Sequence, residues 1–179
     1  LEQREAQLAE AQAITHIGSW NWDIGADRVT WSNELLRIFG VQAADVRGTL
    51  ADYLARVHPH DRARVNATIR NALTARAPWE STERILRSDG SVRLLKTLGG
   101  VWTDPADEVT ALYGASLDVT EATRRELVQS AQHAITRILV RAPSWPDAVY
   151  ESMRTFGETL GWTLGQMWTV DPDDALIRF

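Results

Sequence analysis

The sequence predicts an α+β fold, and three observations carry that prediction. Two strands open the chain, helices fill its middle, and three strands run on to Leu117. Strands and helices segregated in this way pack as helices on a sheet, not as alternating βαβ units. Between two alternating apolar-rich runs stands Ser88-Asp89-Gly90, a strong hairpin signal because glycine accepts the left-handed turn position. After the last strand comes Asp118-Val119-Thr120-Glu121, whose side-chain oxygens suit the free N–H groups at a helix start.

Each element has its own local reason. Leu1–Thr15 lacks Gly and Pro, is rich in Ala, Glu and Gln, and reads as a helix with a thin apolar edge at Leu1, Leu8 and Ala11. His16-Ile17-Gly18 ends it, with Gly18 as the expected stop. Ser19–Ile24 alternates, placing Trp20, Trp22 and Ile24 on one face of a half-buried strand. Gly25-Ala26-Asp27 turns the chain into a second strand, Arg28–Trp31. Ser32 caps a short helix, Asn33–Phe39, that Gly40 closes. Thr49–Val57 is helical, with Leu50, Tyr53, Leu54 and Val57 on one side. Pro59 suits the first turn of a longer helix reaching Ala75, whose apolar positions Val65, Ile69, Ala72 and Leu73 have helical spacing. Three strands follow, about Trp79–Arg87, Ser91–Thr103 and Val109–Leu117.

Beyond the strands, Ala122–Val140 again lacks Gly and Pro. Leu127, Ala131, Ala134 and Ile138 step by the intervals of a coiled-coil seam. After Pro143, Ser144 caps a helix running from Trp145 to about Leu160, with Ala148, Met153, Phe156 and Leu160 apolar, and Gly161 ends it. Trp162–Val170 then alternates as a strand, and Asp171-Pro172-Asp173-Asp174 is a turn.

The 179 residues suffice for one compact domain and part of another. The chain begins at Leu1, as expected of a piece of a longer protein. A net charge of −5 and a pI near 5.4 argue against a nucleic-acid or anionic-membrane surface. Lys96 is the one lysine among nineteen basic residues, a bias of genomic composition, not a binding patch. The absence of cysteine excludes disulfides, zinc thiolates and cysteinyl-flavin photochemistry. No apolar run approaches the roughly 20 residues of a membrane span, and a cytoplasmic location is expected. The eight tryptophans, spread along the chain, are read as core.

Five segments in order resemble one large subfamily of PAS domains. HIGSWNWDI is similar to its G-x-W-x-W-D opening strand, WSNELLRIFG to its W-S-x-x-x-x-x-I-F-G segment and RVHPHDRARV to its V-H-P-x-D-R-x-x-V segment. The S-D-G hairpin and the D-V-T exit complete the set. The resemblance covers about Ile17–Thr120 and implies a five-stranded antiparallel sheet in the order 2-1-5-4-3, with helices over one face. A second resemblance lies in AVYESMRTFGETLGWTLGQMWTVDPDDALIRF, which is similar to the opening of a GAF domain through L-G-W-x-x-G-x-x-W. The implied organisation is an N-terminal signalling helix over 1–16, a PAS sensor over 17–120, a linker helix over 121–142 and the start of a GAF domain over 143–179.

The chemistry-bearing residues are few. His58-Pro59-His60-Asp61 clusters potential metal ligands, but a proline separates the histidines at a helix start and their side chains diverge. The haem-binding PAS sensors place a ligand histidine where this chain has Val65, which has no lone pair, and His16, His58 and His60 fall outside the inner face of that helix. The last two strands offer Leu94, Leu95, Thr97, Leu98, Gly99, Gly100, Leu112, Gly114 and Ala115, too apolar to read a flavin edge, although Asn21 and Asn66 remain as polar partners. His133 lacks the acidic residue that follows a kinase phospho-acceptor. No nucleophile–base pair or phosphate loop appears, so no catalytic residue, metal, haem or flavin is expected.

What remains is a mainly apolar interior, expected to be lined by Trp20, Trp22, Trp31, Phe39, Leu54, Ile69, Leu73, Ile85, Leu95 and Leu112. It is either filled core or the site of a small apolar ligand. The expected function is sensing and relay in a multidomain signalling protein, with Asp118 and Thr120 coupling sheet to exit helix and Arg93 or Lys96 as a basic partner for Asp118. The expected partners are a second copy, along the seam Leu127, Ala131, Ala134 and Ile138, and a downstream output domain of the same chain. The competing reading is a dimerisation module without ligand.

Overall fold

Strands form where period-two alternation and turn chemistry agree. The computed structural model describes residues 2–166, 169–170 and 177–178. In it β1 (Ile17–Asp23) and β2 (Arg28–Trp31) make the first hairpin, and β3 (Trp79–Leu86), β4 (Val92–Thr103) and β5 (Val109–Asp118) follow the central helices. Neighbouring strands are antiparallel and the order is β2-β1-β5-β4-β3, the fold and order expected. In the β3–β4 turn Gly90 has φ +81° and Asp89 Oδ1 accepts the Ser91 N–H at 2.8 Å, so both turn residues act through their own chemistry.

The helices keep close to their sequence signals. α1 (Glu2–Thr15) leads into β1. Its stop needs correction: His16 takes the left-handed conformation at φ +55°, and Gly18 lies inside β1. There a Cβ would come within 2.6 Å of the Leu35 Cβ, so Gly18 serves close approach of the next helix, not termination. That helix, α2 (Asn33–Phe39), is capped by Ser32 Oγ accepting the Leu35 N–H and closed by Gly40 at φ +67°. α3 (Leu50–Arg56) is capped by Thr49, and α4 (Pro59–Ala75) starts on Pro59.

These helices cover one face of the sheet. Leu35, Ile38 and Phe39 of α2 pack with Ile85 and Leu95, while Val57, Val65 and Ile69 pack with Leu112. Each fully buried side chain of this kind contributes about 1.5–3 kcal/mol. The opposite face stays open: Leu98 and Trp102 are each about half exposed, and Trp102 stacks on Tyr113 with ring centroids 4.7 Å apart.

The chain divides into two compact units, Leu1–Thr120 and Glu121–Phe179. The second contains nearly all of α5 (Thr120–Arg141), and α6 (Trp145–Leu160). Along the expected seam Ala131 is buried, Ala134 and Ile138 are half-buried, and Leu127 is exposed. Ser144 caps α6 and Gly161 closes it at φ +69°. The strand expected over Trp162–Val170 is found only as β6 (Thr169–Val170), paired with β7 (Ile177–Arg178); residues 162–166 form no strand. Trp162 instead stacks on Phe156 at 5.5 Å, and a Cβ on Gly165 would meet the Met153 Cε at 2.5 Å. The segment packs back on α6 and cannot extend. Met167, Trp168 and the expected turn Asp171–Asp174 lie outside the described residues. Among those described, no helix is long and apolar enough to cross a membrane.

Candidate functional site

Between the inner face of the sheet and α2–α4 lies a cavity of about 50 Å³. Its walls are aromatic and aliphatic: Trp20 and Trp22 from β1, Trp31 from β2, Leu35 and Phe39 from α2, Val65 and Ile69 from α4, Trp79 from β3 and Leu112 from β5. Strand glycine makes this density of indoles possible. A Cβ on Gly114 would lie 2.5 Å from the Trp20 ring, which sits directly opposite in register.

One end of the cavity is polar. Ser81, Thr97 and Ser116 stand opposite one another across β3, β4 and β5, and all three line the cavity with Tyr53. Behind them Glu83 is 1% exposed. It accepts hydrogen bonds from Tyr53 Oη at 3.3 Å, from Ser81 Oγ at 2.8 Å and from Thr97 Oγ1, and Thr97 Oγ1 lies 2.9 Å from Ser116 Oγ. Burial pushes the Glu83 carboxyl above its ordinary value, against the three hydroxyl donors that favour the anion. Burial, and then the neighbouring Glu83 charge, push the Tyr53 phenol well up.

A second cluster joins β5 to α5. Asp118 Oδ1 accepts the Thr120 N–H at 3.0 Å and the Thr120 hydroxyl at 2.5 Å, while Thr120 Oγ1 accepts the Leu94 N–H at 2.8 Å. The Val119 N–H donates to the Leu94 carbonyl at 2.9 Å. Asp118 Oδ2 is 3.7 Å from the Arg93 guanidinium, whereas Lys96 pairs with Glu80 at 2.8 Å. Of the two basic partners expected, Arg93 is the one in place. Leu112, Ser116 and Asp118 follow one another along β5, so one strand supplies cavity wall, polar end and exit cluster.

Residues 28–116 match the family model described as the PAS fold. The chain carries a PAS domain. Its structure is similar to that of a sensory box histidine kinase/response regulator from Burkholderia thailandensis E264, with a TM-score of 0.59 and 23% identity over 73% of this chain and 98% of that one. It is also similar to the N-terminal domain of a diguanylate cyclase with PAS/PAC sensor from Marinobacter aquaeolei (0.56, 20% identity, 59% of this chain and 97% of that one). A third likeness is to a domain of a putative light and redox sensing histidine kinase from Haloarcula marismortui (0.52, 23% identity, 66% and 99%). No curated protein matches the sequence.

Within the PAS domain, six of the ten expected lining residues meet the cavity: Trp20, Trp22, Trp31, Phe39, Ile69 and Leu112. The other four do not. Ile85 and Leu95 are fully buried in the cluster under α2, and Leu54 and Leu73 pack on the cluster formed by Val57, Val65, Ile69 and Leu112. The residues expected from the last two strands included Thr97 but not Ser116, and these two give the cavity its polar end together with Ser81. Asn21 and Asn66 are not among its lining residues. Ser81 and Glu83 were legible in principle, since period two from Trp79 to Ile85 turns both inward. What the sequence lacked was register, which sets Ser81, Thr97 and Ser116 in one row.

The histidines are placed elsewhere. His16 pairs with Glu34 at 3.3 Å, His58 accepts the His60 N–H at 3.4 Å at the start of α4, and His133 is exposed on α5. Val65 is buried against the cavity. Among the described residues no group of three or more His, Cys, Asp or Glu is placed to hold a metal ion.

Proposed function

We propose that this chain is the sensory and relay module of a multidomain signalling protein. The PAS cavity takes a small, mainly apolar ligand, and its occupancy is passed through Asp118 and Thr120 to α5, then to a GAF domain that begins at 143–179 and to an output domain beyond. The observation that carries this reading is that β5 supplies both the cavity residues Leu112 and Ser116 and the exit residue Asp118. A shift in the cavity wall is thus one strand away from the helix start. The structural neighbours, a histidine kinase/response regulator and a diguanylate cyclase with PAS/PAC sensor, support an output of kinase or cyclase type, with a phosphatase as the further alternative. The reaction would belong to that output domain and not to this module.

The module would work as a cytoplasmic homodimer along Leu127, Ala131, Ala134 and Ile138. Haem and flavin do not suit the cavity: its volume is roughly a third of the ~150 Å³ that holds benzene. The open sheet face with Leu98, Trp102 and Tyr113 favours the second reading, a ligand-free dimerisation module. Native mass spectrometry of the gently purified protein separates the two. A dimer carrying a small organic mass on each subunit is expected. A dimer of bare subunits that stays bare with an extract of small metabolites would leave the interaction module standing.

A further inference from the structure

The cavity's polar end restricts the head group of any ligand, a deduction that rests on the cavity being the sensory site. Among the described residues the buried carboxylates are Glu34, Asp61 and Glu83. Glu34 is held by Arg37 at 2.5 Å, and Asp61 by Arg84 at 2.7 Å. Glu83, the most deeply buried of the three, forms no ion pair with any described residue; only hydroxyls reach it.

The hydrogens of that cluster can be assigned. An ionised carboxylate only accepts, and each hydroxyl has one hydrogen to give. Tyr53, Ser81 and Thr97 spend theirs on Glu83. Thr97 then has none left for Ser116, so Ser116 donates in the 2.9 Å contact between them. Of the five hydroxyls that line the cavity, Thr68 gives its hydrogen to the Arg64 carbonyl at 3.1 Å, and the other four point theirs towards or along the chain to Glu83. They offer the cavity lone pairs alone, with a negative charge behind them.

We propose that this cavity selects a small apolar molecule bearing a hydrogen-bond donor, an amine or a hydroxyl, which docks against Ser116, Ser81 and Tyr53, and that it rejects anions. A donor finds acceptors already aimed at it, and a protonated amine supplies the cation that Glu83 lacks. A carboxylate or phosphate would meet only lone pairs and a like charge.

The test uses four small probes, each far smaller than haem or flavin: pyrrole, its donor-free counterpart furan, isobutylamine and isobutyrate. Each is titrated into the full chain, labelled with nitrogen-15, while the amide signals of Thr97 and Ser116 are followed by NMR. Pyrrole and isobutylamine are expected to shift these signals saturably, furan to bind about tenfold more weakly, and isobutyrate not to bind. Ser116→Ala should reduce pyrrole to the level of furan while leaving distant signals unchanged. Thr97→Val, which breaks the chain of hydroxyls between Ser116 and Glu83, should do the same. If furan binds as tightly as pyrrole, or isobutyrate binds best, the donor rule is overturned while the cavity still counts as a sensory site. If none of the four shifts a cavity signal at millimolar concentration, the sensory reading falls and the donor rule with it.

Discussion

Asp61 joins the first turn of α4 to β3 through a single arginine. Its Oδ2 accepts the Arg84 backbone N–H at 2.9 Å and Nε at 3.0 Å, and its Oδ1 accepts Nη2 at 2.7 Å. The Arg84 hydrogen bonds outweigh burial and hold the Asp61 carboxyl well below the usual carboxylate range. The sign of the pH effect follows. The unfolded chain takes up a proton at the ordinary value, near 3.9, and the folded chain only at lower pH, so the pair stabilises fully above that value and loses its effect as pH falls through the folded one. Glu83 runs the other way: its raised value makes folding less favourable as pH climbs past the ordinary glutamate value. Asp61→Asn is expected to cost about 1–3 kcal/mol at pH 7, towards the low end because Arg84 is 42% exposed. Urea denaturation at pH 7 and pH 3 should show wild type losing more stability on acidification than the variant. Parallel losses in both proteins would remove Asp61 from this role.

At the scale of elements, the β5–α5 junction rests on few atoms. Thr120 gives its hydroxyl hydrogen to Asp118 and takes the Leu94 N–H, so the first residue of α5 is tied to two strands at once. Asp118→Ala removes two acceptor contacts with Thr120 and the Arg93 pairing. It is expected to cost about 0.5–2 kcal/mol, as the loss of a helix cap does. The signature is local: faster hydrogen exchange at Leu94 and in the first turn of α5, with β1 and β2 unaffected. Uniform acceleration across the sheet would show that Asp118 acts on global stability instead. The elements themselves were legible wherever a cap, a turn residue and a period agreed, as at Ser32–Gly40, Thr49, Pro59 and Asp89-Gly90. The sequence was misleading where a residue answered to a distant partner. Gly18 looks like a helix stop but makes room for Leu35, and Glu83, inward by its period, receives hydroxyls from α3 and β4 that no local pattern announces. Those partners are set by packing and register, which a single chain read in order does not display.

For the whole molecule, the two units differ in how much apolar surface they enclose. Unit Leu1–Thr120 buries Phe39, Val57, Ile85, Leu95 and Leu112 almost completely. In the second unit the buried apolar side chains among the described residues are Ala131 and Ala148, which contribute little transfer energy. Its larger side chains stay in water: Trp162 is 58% and Leu164 78% exposed. The α6 face formed by Val149, Met153, Phe156 and Leu160 is half-buried, and its aromatic contact is the single stack on Trp162. Opening such a segment exposes little that was hidden, so its local free energy of opening is small compared with that of the sheet. Residues 145–166 are therefore expected to exchange their amide hydrogens far faster than β4 in a monomeric sample of this chain. The two regions should separate by orders of magnitude in time, since each 1.4 kcal/mol is about tenfold in the opening equilibrium. On the proposed GAF reading, a longer chain that carries the rest of such a domain is expected to slow the exchange of 145–166 and leave β4 unchanged. Equal protection of 145–166 and Val92–Thr103 in this chain alone would mean that the second unit already has the core it needs, and the division at Thr120 would lose its physical basis.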